Sequence, residues 1–241
     1  MKKGLSAAFI VVILLLLSTY FMGEKVQKET KKFFTQQSEK GISYKLINYD
    51  KGFFASRLKS EITVQVDSGP GVTFIIDTLI KHYPYKATLS SQVKFTSAML
   101  NKKAKQYFST SQWLSSEMQV SLLGTVTGDV NIVSGAYKSE QEKFSNKALS
   151  FNYSLNLSDY SGAFTLDLAY FNAESNSLTI QLENLFLSSH FNTLSIRESS
   201  QYLFRVQDIR SKIKNGNFHI KDFLIKGDSK ASKDGLNNLC R

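Results

Sequence analysis

The chain has 241 residues, 42% hydrophobic and 21% charged, a composition that can build a core and excludes wholesale disorder. Its formal net charge of +10 comes from lysines scattered along the sequence, which reads as a solubility surplus, and no nucleic-acid motif accompanies it. The single cysteine, Cys240, has no partner for an internal disulfide, so stability must come from packing.

Met1-Lys2-Lys3 precedes an uncharged stretch from Gly4 to Gly23 that includes Phe9 to Leu17. About twenty residues at 1.5 Å each span roughly 30 Å, the thickness of a bilayer's hydrocarbon core. Cleavage of a signal peptide wants small residues at the first and third positions before the cut. Ser18-Thr19-Tyr20 and Phe21-Met22-Gly23 each place an aromatic at one of them. The expectation is an uncleaved transmembrane anchor over 1–23, with Lys2 and Lys3 on the cytoplasmic side and the rest of the chain outside.

Residues 24–40 predict a stalk helix, with Val26, Thr30, Phe33 and Phe34 on one face and Lys25, Lys28, Lys31 and Lys32 elsewhere. From Ile42 the period changes to two. Ile42, Tyr44 and Leu46 form one alternating run, and Phe54, Ser56, Leu58, Ser60, Ile62 and Val64 another. Asp50-Lys51-Gly52 between them predicts a hairpin turn with Gly52 at positive φ. Asp67 to Gly71 predicts a second turn and Val72 to Ile80 another strand. Residues 101–118 fit either a short helix or a loop.

Further on, Leu149 to Leu157, Phe164 to Tyr170 and Leu178 to Leu182 alternate strictly and predict an antiparallel meander. Three segments share one pattern: Ile180 to Leu185, Phe204 to Ile209 and Phe218 to Phe223. In each, the apolar alternation slips by one after Asn184, Asp208 or Asp222. A slip of one flips later side chains unless a bulge absorbs it, so bulged strands that bend the sheet at one height are expected. Ile180, Leu182, Phe204, Val206, Phe218 and Ile220 would then share one apolar face able to hold an acyl chain. The class expected for residues 41–241 is thus mainly β: an antiparallel, curved sheet or sandwich with a minor helix.

Chemistry-bearing motifs are scarce. His82, His190 and His219 lack metal-ligand spacing, and no nucleophile elbow, phosphate loop or paired catalytic carboxylates stand out. No catalytic residue, cofactor or metal is expected. An envelope hydrolase with an unrecognised site is the alternative.

The run Asn48-Tyr49-Asp50-Lys51-Gly52-Phe53-Phe54-Ala55-Ser56-Arg57-Leu58 resembles the YdgA-like family of bacterial proteins of unknown function. Tyr49, Lys51, Gly52, Phe54 and Ser56 fit its pattern of Tyr, any residue, a base, Gly, any residue, Phe, any residue, Ser, placed after an anchor and a short helix. Ile80-Lys81-His82-Tyr83-Pro84 is similar to a second element at the start of a strand, with Tyr83 where the family usually has Gly. The resemblance implies an inner-membrane-anchored protein with a periplasmic β-rich body and transfers no catalytic residue. The expected partners are the membrane, through the N-terminal helix, and then lipid, another envelope protein or a second copy of the chain. Family members are usually longer, so a shortened chain with an uncovered last strand near Phe218 to Ile225 is also expected.

Overall fold

The structure is a computed structural model. It describes the backbone of residues 2–36, 38–39, 41–65, 71–192, 200–213, 216–232 and 235–240, and the side chains of these ranges outside 2–12, 36–39 and 229–240. The expected turn at 67–71 lies outside them except for Gly71. Contacts group the chain into two compact units, residues 1–98 with 116–124 and residues 99–115 with 125–241.

The first unit opens with α1 (Lys2–Gln36), one uninterrupted helix through both the expected anchor and the stalk. Its strands are β1 (Ser38–Glu39), β2 (Ile42–Asp50), β3 (Ala55–Val64), β4 (Val72–His82), β5 (Lys86–Phe95) and β6 (Leu114–Ser121), ordered as in the sequence. Strands β1 to β5 pair antiparallel with their successive neighbours. The alternation read from Ser56 onward puts Ser56, Ser60, Thr78, Ile80, His82, Ala87 and Leu89 inside. On α1, Thr19, Met22 and Val26 are buried at helical spacing, and Met22 and Val26 join Ile80, Ala87 and Leu89 in one apolar core. Further along the helix, the Phe33 ring packs on Tyr44 at 5.5 Å, as expected of a docked stalk. Among the described residues no helix is long and apolar enough to cross a membrane, and the side chains of 2–12 lie outside them.

In the second unit α2 (Ala98–Phe108) resolves the ambiguous segment. Its Tyr107 and Phe108 rings pack on Phe144 at 5.1 and 5.5 Å, and Phe108 stacks on Trp113. Phe144 belongs to the hairpin β8 (Gly135–Lys138) and β9 (Glu142–Asn146). The remaining strands are β7 (Thr125–Ile132), β10 (Leu149–Asn156), β11 (Gly162–Ser175), β12 (Leu178–Phe191), β13 (Ser200–Ile213), β14 (Gly216–Ser232) and β15 (Gly235–Cys240). They pair antiparallel in that order, with β9 also on β11. Mainly antiparallel β with minor helix is therefore the observed class.

Three expectations change here. The slips at Asn184 and Asp222 are not bulges, because the register of β12, β13 and β14 is the same on either side of them. Both residues instead take positive φ of 50°, and the ladder lapses locally around them. Asn and Asp tolerate this region, which is how the slip is accommodated without an extra residue. Asp208 has ordinary φ and pairs with Glu183 and Lys221, so it sits one row away from the aligned Asn184, Gln207 and Asp222. The last strand is β15, which covers Gly227–Ser232 of β14. Within Phe218–Ile225, only β13 is paired among the described residues.

Candidate functional site: the hairpin motif beneath the N-terminal helix

The Tyr49 to Ser56 run forms the β2–β3 hairpin, Asp50 pairing with Arg57. Gly52 sits in its loop but not at positive φ, which corrects the expected reason for the glycine. A Cβ there would stand 2.2 Å from the Ala55 carbonyl oxygen, so close backbone approach excludes any side chain. The loop curls back far enough for the Gly52 amide to donate to Ser56 Oγ at 3.4 Å.

Ser56 points inward, 1% exposed, and its Oγ is 2.8 Å from His82 Nε2 on β4, itself 3% exposed. The register explains the meeting: Ser56 pairs with Ile80, placing the hydroxyl diagonally across from residue 82. His82 closes β4 instead of opening a strand, and Tyr83 to Tyr85 turn the chain into β5. Its ring lies under α1, where a Cβ on Gly23 would be 3.5 Å away, an ordinary contact. Burial, then the nearby Lys51 charge, lowers the imidazole pKa and favours neutral His82. The Tyr49 hydroxyl is buried in the same cluster, and burial raises its pKa against the opposing pull of Ser56.

Lys51 turns toward the helix, pairs with Glu24 and lies 4.3 Å from the centre of the Tyr20 ring. That contact, with a Tyr20 hydrogen bond, lowers the Glu24 pKa. Phe54 stays exposed at the hairpin tip beside Phe53, their rings 4.7 Å apart.

A serine hydroxyl on a histidine is the first contact of a nucleophile and base. A working pair also needs the far ring nitrogen oriented by a third group and the hydroxyl open to substrate. Here His82 Nδ1 is buried with no hydrogen-bond partner among the described residues, and both side chains are sealed beneath α1. The arrangement clamps helix to hairpin. Residues 1–238 match the model of a family described as bacterial protein of unknown function, DUF945. The chain belongs to that family. No curated protein and no solved structure matches it.

The six residues expected to form one apolar face in this DUF945 chain are only partly brought together, Phe204 and Val206 being separated from the other four. Because β13 runs antiparallel to β12 and β14, residues before its polar position fall on the opposite side of the Asn184–Gln207–Asp222 row. Ile180 and Leu182 therefore neighbour Ser211, Ile209, Phe218 and Ile220, whereas Phe204 and Val206 neighbour Ile225 and Phe223. Val206 is fully buried and Phe218 is 53% exposed.

Two features of the second unit escaped the sequence reading. Asp208 is buried and binds Arg210 at 2.9 Å and His219 at 3.0 Å, which together hold its carboxyl below the usual range, Arg210 contributing most. An open concavity of about 720 Å³ crosses β11 to β14, lined by Phe164, Tyr202 and Leu203 with Lys226 and Asp228 among its polar groups. The Tyr202 ring lies over Gly227 there, where any Cβ would collide with it, so the mid-strand glycine makes room for an aromatic neighbour.

Proposed function

We propose that this DUF945 chain is a single-pass, membrane-anchored envelope protein. Its β-rich body sits outside the cytoplasm and acts without catalysis, as a scaffold that handles lipid. One observation carries the reading: α1 is continuous, exposes Ile13 to Leu17 in its first half and docks its second half on the first unit. An apolar helix that left the membrane as a loose tether would need no such docking. A helix buried at Thr19, Met22 and Val26 and clamped through Lys51 and Gly23 sets the first unit at a fixed attitude to the anchor.

The lipid-handling part draws on the open concavity and on the half-exposed apolar rows of β11 to β14. A groove with an apolar floor and a few polar groups suits an amphiphile. A hydrolase reading gains nothing from the sealed Ser56 and His82 pair. Alkaline phosphatase fused after Arg241 should be active, because the enzyme matures only outside the cytoplasm. An inactive fusion that accumulates to normal levels would place the body in the cytoplasm and end this reading.

A further inference from the structure

All hairpins of one polarity in the first unit end on the same sheet edge. The β2–β3 tip carries Phe53 and Phe54, the β4–β5 tip Tyr83 and Tyr85, and the turn after β6 carries Leu122 and Leu123. All six are exposed large apolar or aromatic side chains, Tyr85 at 64% and Leu123 at 90%. They are tied into one edge: Tyr20 of α1 lies 6.0 Å from Phe53, and the Leu122 amide donates to the Tyr85 carbonyl at 2.8 Å. Lysines punctuate it. Lys25 donates to the Leu122 carbonyl, Lys51 covers Tyr20, and Lys86 lies within 6 Å of both Tyr83 and Tyr85.

The helix shows what this edge faces. Tyr20 and Glu24 meet the β2–β3 tip, while Phe33 meets Tyr44 near the far end of β2. The N-terminal half of α1 therefore projects past the three tips, with Leu14 to Leu17 exposed where it leaves them. Because Thr19 and Met22 pack on protein, the uncharged sequence preceding the docked part of α1 runs from Gly4 to Ser18. That is about 15 residues, or roughly 22 Å, against a hydrocarbon core of roughly 30 Å. A short span is accommodated by bringing flanking groups into the bilayer interface. Tyrosine and phenylalanine with lysines beside them suit that layer, their rings at the acyl boundary and the ammonium groups among phosphates.

We infer that the three tips form a membrane-docking edge that enters the outer interface of the same bilayer α1 spans, with Lys25 and Lys86 on anionic headgroups. The inference rests on the anchor reading and extends it: the first unit lies against the membrane and does not stand off on a stalk. It also gives Phe54, exposed within the family motif, a role that packing does not supply.

Spin labelling of the full chain tests it. In a Cys240→Ser background, single cysteines replace Phe54, Tyr85 or Leu123, with Thr96 at the opposite sheet edge and Leu15 in α1 as references. The protein is reconstituted in nanodiscs of phosphatidylethanolamine and phosphatidylglycerol. Collision with oxygen is compared with collision with a water-soluble nickel chelate. Labels at 54, 85 and 123 should shift toward oxygen relative to the label at 96, with the label at 15 deeper still. If 15 is deep while all three tip labels match 96, the docking edge is wrong and the anchor stands. If the label at 15 also matches 96, the anchor reading falls and takes this inference with it.

Discussion

Gly52→Val should destabilise the first unit by about 3 kcal/mol, the upper end of the cost of forcing extra atoms into a packed site. The added Cβ would stand 2.2 Å from the Ala55 carbonyl oxygen, and backbone cannot swing aside as a flexible side chain does. Relief would require opening the loop that lets Gly52 reach Ser56, and with it the Ser56 to His82 contact. The cause also predicts a pattern across substitutions. A positive-φ glycine would tolerate Asn better than Ala, but a clash at Cβ treats them alike. Denaturant unfolding followed by hydrogen exchange on β2 to β5 should give similar losses for Gly52→Ala and Gly52→Asn. An asparagine variant as stable as the parent would return the argument to backbone conformation.

Acid should loosen the helix from the first unit. Folding lowers the pKa of His82, through burial first and the Lys51 charge second. An imidazole with a lower folded pKa binds protons more readily unfolded, so its contribution is complete above 6.5 and is lost as pH falls from there toward the folded value. The groups facing His82 sharpen the effect. Lys51 repels an imidazolium, its partner Glu24 offsets only part of that charge, and Ser56 and Tyr49 are neutral. Amide exchange in β3, β4 and the docked part of α1 should accelerate as pH drops below 6.5, after correction for intrinsic rates. His82→Gln, which keeps a donor for Ser56, should flatten that dependence. A parent protein with no pH dependence in this window would remove His82 from the clamp. The Asp208 carboxyl, held low by Arg210 and His219, gives the second unit a separate loss in the carboxylate range.

Much of the first unit was legible because its signals are local. Alternation from Ile42 and from Phe54 fixes strands and their inward residues, and the spacing of Val26 and Phe33 marks the docked side of α1. The clamp was not legible as a cluster. Ser56 and His82 meet only through the β3–β4 register, and Gly23 reaches them only once α1 is docked. The three apolar tips are likewise separate in sequence and become one edge only through the order of β2 to β6. In the second unit the slipped alternation at Asn184 and Asp222 marked a real irregularity, but its form depended on backbone angles that periodicity does not encode. The expected acyl face is split for a topological reason. Repeated segments read in one chain direction do not stack when alternate strands run oppositely.

Alkaline carbonate extraction of cell membranes, followed by intact-mass measurement of the recovered chain, tests whether α1 stays on the protein and holds it in the membrane. Recovery in the membrane pellet with Met1 or Lys2 at the N-terminus is the expected result. A soluble product beginning near Glu24 would show that the helix is removed and the anchor is wrong.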